Sequence, residues 1–280
     1  MAILIKGKEL AQRIREDIKN EVLSLGTKPG LAVIIVGEDP ASKVYVGSKE
    51  KAAVDAGFYS VVIKLDKDIS QADLEKKIDK LNADKSIHGI LVQLPLPKHI
   101  NSEEIIQKIL PQKDVDGFHP LNVGRLWTGL NPYAISCTPY GIIKLLEEYK
   151  IEIAGKNAVI IGRSNIVGKP MAGLLVARNA TVTICHSKTV NLKEVASQAD
   201  ILISAIGKPK FITEDFVKEG AVVIDVGINR TEDGKLVGDV DFDNVESKAS
   251  YITPVPGGVG PMTIAMLLYN TLELSKQNIK

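Results

Sequence analysis

The sequence has 280 residues, of which 45% are hydrophobic and 25% are charged. This length suits two α/β units of ordinary size, and the balance of apolar and charged residues excludes an intrinsically disordered chain. Lysine and arginine number 35 against 34 acidic residues, so the net charge is +1 and we expect no nucleic-acid or anionic membrane partner. Small molecules are the expected partners.

The N-terminus becomes charged within ten residues and continues as an amphipathic helical pattern, unlike a secretory signal. No stretch approaches the ~20 apolar residues of a membrane span. The two cysteines, Cys137 and Cys185, lack CxxC spacing, which predicts neither a disulfide framework nor a zinc site. We expect a cytoplasmic protein that holds no metal.

Three apolar runs in the first half, at residues 31–37, 60–65 and 89–95, predict buried strands because their hydrophobicity is continuous rather than alternating. Helical patterns separate them, which favours a parallel βαβ arrangement. Between the first two runs, Asp39-Pro40 predicts a helix start and Gly57 a helix end.

Lys49 lies on the apolar side of that helix. A charged amine there is unfavourable unless it gives up its proton readily or finds a partner, and a desolvated lysine suits proton transfer. The alternative is a lysine whose ammonium reaches solvent. The apolar arc of the helical wheel contains Ala41, Tyr45, Val46, Ala52, Ala53 and Ala56.

Polar residues follow in the third run and beyond it. Gln93 stands near the carboxyl end of its strand, where α/β sites gather and where an amide can hold an amine in one protonation state. The alternative is an ordinary polar residue at a strand end. Asp114 and Asp116 follow in a tight turn. For either carboxylate, the alternative to a binding role is a purely structural role in that turn.

Proline, glycine and asparagine recur between residues 110 and 141, and the domain boundary is placed near the end of this stretch. Residues 1–138 are predicted to form an N-terminal α/β catalytic domain and 139–261 a C-terminal Rossmann-type domain, both with mostly parallel sheets. Thr138-Pro139 predicts the start of a connecting helix. A helical tail, residues 262–280, is expected to pack back on the first domain.

Four further apolar runs, at residues 158–162, 181–185, 201–207 and 221–227, predict a second parallel sheet. The first enters a turn from Gly162 to Gly168 before a helix, as in dinucleotide sites. Serine replaces the second glycine of the usual motif and the last glycine is one residue late, so the turn can also be purely structural.

The second of these runs is followed by His186, Ser187 and Lys188, with no carboxylate to hold the ribose hydroxyls of NAD. With Arg163 in the first turn, this favours NADP, although His186 or Lys188 can also be a solvated loop residue. Ile228 follows the last run, at the carboxyl end of the predicted strand, where we expect the nicotinamide end of the cofactor. Residues 254–263 form a loop so rich in glycine and proline that its backbone can approach a ligand closely.

Six segments together resemble the bifunctional methylenetetrahydrofolate dehydrogenase/methenyltetrahydrofolate cyclohydrolase family over essentially the full length: YVGSKEKAA, GILVQLPLP, KDVDGFHP, GRSNIVGKP, CHSKT and TPVPGGVGPMT. The resemblance implies a catalytic lysine at Lys49, a folate-stacking tyrosine at Tyr45, a lysine-tuning amide at Gln93 and a pterin-binding carboxylate at Asp116. It implies that Pro256, Gly257 and Gly258 border the folate pocket. The implied NADP contacts are Gly162, Arg163, Ser164, Ser187 and Ile228.

The implied reaction is NADP-dependent oxidation of 5,10-methylene-tetrahydrofolate to the methenyl form, followed by hydrolysis to 10-formyl-tetrahydrofolate, in a homodimer. The alternatives are a monofunctional or NAD-preferring folate dehydrogenase and a shikimate-type or amino-acid dehydrogenase. From a different class, a nucleotide-sensing binding protein without turnover remains open.

Overall fold

The computed structural model describes residues 2–231 and 233–277. By its internal contacts the chain divides into two compact units. Among the described residues, the N-terminal unit contains 12–137 and 264–277, and the C-terminal unit contains 2–11 and 138–263. Residues 2–11 therefore lie in the C-terminal unit, although the sequence assigned them to the N-terminal domain.

A three-stranded parallel sheet forms the centre of the N-terminal unit, in the order β3-β2-β4. The strands are β2 (Gly30–Val36), β3 (Tyr59–Leu65) and β4 (Gly89–Val92). Both β2 and β4 are buried along their whole length, as predicted, whereas β3 is only partly buried, contrary to the prediction. The third strand ends three residues earlier than predicted, since Pro95 has no amide hydrogen to extend the ladder.

Helices cover this sheet. Leu74 and Ile78 pack with Ala32 and Ile34 in one fully buried cluster, and each buried leucine or isoleucine stabilises the fold by roughly 1.5–3 kcal/mol. A 3-10 turn covers Pro111–Lys113. The helices are α1 (Gly7–Ser24), which begins in the C-terminal unit, α2 (Pro40–Asp55), α3 (Gln71–Ala83), α4 (Ser102–Lys108) and α5 (Pro120–Trp127).

The C-terminal unit has a six-stranded sheet in which every pairing is parallel, in the order β1-β11-β8-β7-β5-β6. The four predicted strands are confirmed as β5 (Asn157–Ile161), β6 (Thr181–Cys185), β7 (Ile201–Ser204) and β8 (Val222–Asp225). Two were not predicted, β1 (Ile3–Leu4) and β11 (Tyr251–Ile252), because two residues are too few to show a pattern. Their pairing explains why the N-terminus belongs to this unit.

Short elements connect these strands. A small antiparallel hairpin joins β9 (Asn229–Arg230) to β10 (Leu236–Val237), and a 3-10 turn covers Glu214–Phe216. The remaining helices are α6 (Cys137–Glu148), α7 (Gly168–Val176), α8 (Leu192–Ala196), α9 (Phe242–Val245) and α10 (Val259–Gln277). From Ile264 onward α10 clusters with the N-terminal unit. Within the described ranges, no helix is long and apolar enough to cross a bilayer.

Candidate active site

Helix α2 carries Lys49 on its buried side. Asp39 caps the helix by accepting a hydrogen bond of 2.8 Å from the Ser42 amide, and Gly57 ends it with φ +83°. Ser42, Val46 and Ala53 form the buried stripe, and Lys49 falls on the same stripe, partly buried. Because these spacings are three and four residues, the lysine points with them.

Tyr45 lies beside this stripe, and the residue is 42% exposed. Ala41 is exposed too, so the predicted apolar arc was too wide on this side. An aromatic ring left accessible one turn before Lys49 is available for stacking on a planar ligand.

Lys49 finds its partner in Gln93. The backbone N–H of Gln93 donates to Ile34 O at 2.8 Å, which extends the sheet one residue past β4. Its side-chain Nε2 donates to Leu94 O at 2.7 Å, which turns Oε1 toward the lysine. Lys49 Nζ donates to that oxygen at 2.9 Å. The lysine is therefore held by an amide in this structure, although the residue remains partly exposed.

Asp114 and Asp116 differ in what they bind. Asp114 is 2% exposed and accepts hydrogen bonds from the His119 amide at 2.8 Å, the Phe118 amide at 3.3 Å and Asn122 Nδ2 at 2.9 Å. Burial raises its pKa, and these hydrogen bonds oppose the rise. Asp114 thus serves the turn, one of the two roles left open by the sequence.

Asp116 keeps its carboxylate nearly free of protein donors. Cys137 Sγ lies 4.0 Å from its Oδ1, a long contact for a thiol. Burial raises the pKa of Asp116 to about 6, the positive charge of Lys49 opposes the rise, and Asp114 adds to it. A partly buried carboxylate near a held amine has capacity left for a ligand's N–H groups.

Two buried amides around this turn were missed from the sequence. Asn122 is 1% exposed; it donates to Asp114 and to Pro111 O at 2.9 Å and accepts from the Tyr133 amide at 3.0 Å. Asn270, on α10, is the other. The only sequence signal for such residues is an asparagine inside a helical apolar pattern.

The C-terminal unit builds its candidate cofactor site from main chain. Gly162 has φ +133°, and a Cβ there would lie 2.4 Å from Ala205 O; one on Gly168 would lie 2.1 Å from Gly162 O. Both positions require glycine. Ser164 Oγ accepts from the amides of Val167 (3.1 Å) and Gly168 (3.4 Å), so it caps the turn where a glycine was expected.

The end of β6 presents Ser187 and Lys188 to solvent, and Arg163 is exposed on its own turn. Thr189 Oγ1 accepts from the His186 amide at 2.8 Å, and His186 Nδ1 accepts from the Lys188 amide at 3.1 Å. His186 therefore shapes the loop. No carboxylate occurs between residues 185 and 193, so the segment suits a phosphate rather than two ribose hydroxyls.

A pocket of about 130 Å³ joins Ile228 to the glycine-rich loop. Ile228 is 46% exposed, and Pro256, Gly257 and Gly258 line the same space. Gly257 has φ +105°, a conformation that favours glycine. One residue predicted to contact the cofactor and three predicted to border the folate thus meet in a single pocket.

A buried carboxylate pair beneath this pocket was not predicted. Asp239, 0% exposed, accepts from the amides of Ile206 (2.8 Å), Gly207 (3.2 Å) and Lys208 (2.9 Å) and from Asn229 Nδ2 at 3.0 Å.

Its neighbour Asp225, 3% exposed, accepts from the amides of Gly227, Asp239 and Val240, each at 2.9 Å. Burial raises the pKa of Asp225 to about 6, against these hydrogen bonds. The pair fixes the loops that follow β7 and β8, the second of which carries Ile228.

Two family models match the chain: the tetrahydrofolate dehydrogenase/cyclohydrolase catalytic domain over residues 5–116 and its NAD(P)-binding domain over residues 136–279. The chain belongs to this family. The family resemblance and the α/β fold class with a Rossmann-type C-terminal unit are thereby confirmed. Among the described residues, no cluster of three or more histidine, cysteine or acidic side chains is arranged to hold a metal ion.

Similar members of the tetrahydrofolate dehydrogenase/cyclohydrolase family span the whole chain. A curated relative from Bacillus anthracis, "Bifunctional protein FolD", is 58% identical over 99% of this chain and 98% of its own. The solved structure of the bifunctional enzyme from Campylobacter jejuni is 53% identical with a TM-score of 0.97, covering 99% of each chain. The Trypanosoma brucei enzyme, solved with NADP and an inhibitor, is 40% identical with a TM-score of 0.95, covering 100% and 99%.

The rival interpretations compare less well. The NAD-dependent methylenetetrahydrofolate dehydrogenase of Saccharomyces cerevisiae is 26% identical with a TM-score of 0.80 over 99% of this chain and 98% of its own. Shikimate dehydrogenase from Aquifex aeolicus is 15% identical with a TM-score of 0.52, over 91% and 98%, which shows a shared fold alone. Neither alternative is favoured for this member of the tetrahydrofolate dehydrogenase/cyclohydrolase family.

Proposed function

We propose that the hydrogen bond between Lys49 and Gln93 is the centre of the folate chemistry in this chain. The chain is a bifunctional enzyme: it oxidises 5,10-methylene-tetrahydrofolate with NADP to 5,10-methenyl-tetrahydrofolate and hydrolyses that product to 10-formyl-tetrahydrofolate. The overall activity follows from the family, whereas the roles of individual residues are our proposal.

Hydrolysis of the methenyl cation needs a group that moves protons. Water adds to the methenyl carbon and loses a proton. The carbon–nitrogen bond to N5 then breaks, that nitrogen gains a proton, and the hydroxyl group releases its proton to solvent as it becomes the formyl carbonyl. Lys49 takes the first proton and supplies the second. Gln93 supports this role because its oxygen holds the amine at 2.9 Å while leaving other positions of the nitrogen open.

Asp116 and Tyr45 bind and orient the folate. The pterin ring presents N–H donors, and the Asp116 carboxylate has acceptor capacity that the protein leaves unused. The exposed Tyr45 ring stacks on the planar part of the substrate. Holding the substrate in one orientation converts both steps into reactions within a fixed complex.

NADP fits the C-terminal unit. The turn from Gly162 to Gly168 packs its backbone too closely for a side chain at either glycine, and it leads into α7, whose N-terminal dipole favours an anion. Arg163, Ser164 and Ser187 hold the phosphates, with Arg163 and Ser187 at the 2′-phosphate. NADP, when bound, supplies the acceptor for the hydride that leaves the methylene carbon.

Ile228 and the residues Pro256, Gly257 and Gly258 line one pocket of the C-terminal unit. The surface that they form is apolar and, because two of the residues are glycine, nearly flat. Such a surface suits the planar nicotinamide ring and the reacting end of the folate. Excluding water from this surface protects the hydride-transfer step.

We also propose that the enzyme is a cytoplasmic homodimer without nucleic-acid or membrane partners. The near-neutral net charge of +1 supports the absence of polyanionic partners. Light scattering after size-exclusion chromatography tests the dimer, and a mass equal to one chain would refute it.

The proposal is tested by supplying purified enzyme with 5,10-methylene-tetrahydrofolate and NADP while NADPH formation and methenyl absorbance are followed separately. We expect NADPH to appear and the methenyl intermediate to decay. A Lys49→Met variant that still decays methenyl-tetrahydrofolate at the wild-type rate would refute the role of the lysine.

A further inference from the structure

Asn270 is a buried amide in the apolar middle of α10. It is 3% exposed, and its neighbours Leu267, Leu268 and Leu272 belong to the core. Burying an amide among leucines is unfavourable unless its donors are paired. The Asn270 amide must therefore have hydrogen-bond partners inside the core, and these partners indicate its role.

Those partners belong to the two chain segments that flank Asp116. Asn270 Nδ2 donates to Val115 O and to Ile135 O, each at 2.8 Å, and lies 3.6 Å from Cys137 Sγ. With two hydrogens on Nδ2, the two carbonyls account for its donors. One side chain thus joins the residue immediately before Asp116 to a segment twenty residues later.

The two segments also meet on the other side of Asp116. Gly117 has φ +68°, and a Cβ there would lie 2.5 Å from the Ser136 amide nitrogen. The Cys137 thiol donates to Val115 O at 3.4 Å and contacts Asp116 itself at 4.0 Å. The backbone on both sides of Asp116 is therefore fixed against residues 135–137.

We propose that Asn270 is a positioning residue for folate binding: by tying Val115 to Ile135 and contacting Cys137, it sets the orientation of the Asp116 carboxylate. This inference rests on the proposed role of Asp116. It assigns the C-terminal helix a part in folate binding in addition to its part in the core.

The test compares Asn270→Leu, which keeps the size and removes both donors, with Asp116→Asn and with the double variant. Ser275→Ala is the matched control, because Ser275 is equally buried on α10 but its hydroxyl donates to Leu272 O of the same helix. Steady-state constants for folate and NADP are measured for each, together with the thermal midpoint.

In Asn270→Leu we expect the folate KM to rise roughly tenfold, as the loss of two buried hydrogen bonds allows, with the NADP KM changed less than about twofold. In the Asp116→Asn background the same substitution should add less than about twofold, because the carboxylate that it positions is already gone. Ser275→Ala should leave both KM values unchanged.

An unchanged folate KM in a folded Asn270→Leu variant would overturn the inference, as would an equal rise in both backgrounds. If Asp116→Asn alone leaves the folate KM unchanged, the role of Asp116 fails first, and this inference fails with it. Should Asn270→Leu not fold, Asn270→Ser keeps a hydroxyl donor but shortens its reach, and the same pair of comparisons applies.

Discussion

The two units build their parts of the enzyme from different materials. In the N-terminal unit, side chains hold side chains: Gln93 holds Lys49, and Cys137 touches Asp116. In the C-terminal unit, glycines and main-chain amides form the site, as at Gly162. Chemistry that moves protons needs ionisable side chains, whereas the proposed cofactor site needs backbone that approaches its neighbours closely, which glycine permits.

The carboxylate pairs sharpen this contrast. Asp225 and Asp239 both direct their oxygens at backbone amides, and these bonds hold two loops in place. Asp116 has one long contact with a thiol, although its partner Asp114 is fully engaged. A partly buried carboxylate with unused acceptor capacity indicates a ligand-binding group, and a fully buried one whose oxygens are satisfied indicates a structural group.

The largest expected effect is at Lys49. Lys49→Met should lower the cyclohydrolase rate by about 10²- to 10⁴-fold, the range that general acid–base catalysis supplies. The measurement is the decay of methenyl-tetrahydrofolate absorbance. Lys51→Met, at an exposed position on the same helix, is the control and should retain full activity. Equal losses in both variants would show that the helix, rather than the amine at residue 49, is responsible.

The next effect tests the main-chain site. Gly162→Ala should raise the NADP KM about a hundredfold. The new Cβ would clash with Ala205 O, and either the strain or the displacement of that loop costs roughly 3 kcal/mol of binding free energy. Cofactor titration measures it. Gly155→Ala is the control: its φ is +73° but nothing lies near its Cβ, so only the stability should fall, by about 1 kcal/mol. Identical NADP affinity in the two variants would contradict the prediction.

Arg163 tests the preference for NADP. Arg163→Ala should raise the NADP KM roughly 10- to 100-fold, the worth of charged hydrogen bonds to a phosphate, and change the NAD KM less than about threefold. Assays with both cofactors measure the ratio. Equal increases in the KM values for NAD and NADP would place the arginine at the pyrophosphate that both cofactors share, and Arg163 would then not determine the preference for NADP.

The smallest effect is a pH dependence of folate binding. Burial raises the pKa of Asp116 to about 6, so the carboxyl gains a proton as the pH falls through that value and stops accepting hydrogen bonds. We expect the folate KM to rise about fourfold between pH 7 and pH 5.5. The Asp116→Asn profile should be flat over this range; a rise of the same size there would assign the titration to another group.

The sequence predicted much of this arrangement. Continuous apolar runs located seven strands, and the proline and glycine signals located both ends of α2. Residues at β1 and β11 escaped because each strand is two residues long and forms only by pairing with a strand distant in sequence. Asn122, Asn270 and the Asp225–Asp239 pair escaped because the carbonyls and amides that they satisfy carry no sequence signal.

By itself, the sequence determined which residue types stand at each strand end and turn, because hydrophobic periodicity and backbone restrictions are local. It therefore indicated Lys49, Gln93 and the Gly162 turn. Only the tertiary structure decided that Gln93 meets Lys49 and that Asp114 serves the turn while Asp116 keeps its acceptors free. Those outcomes depend on distances between segments remote in sequence, which packing alone fixes.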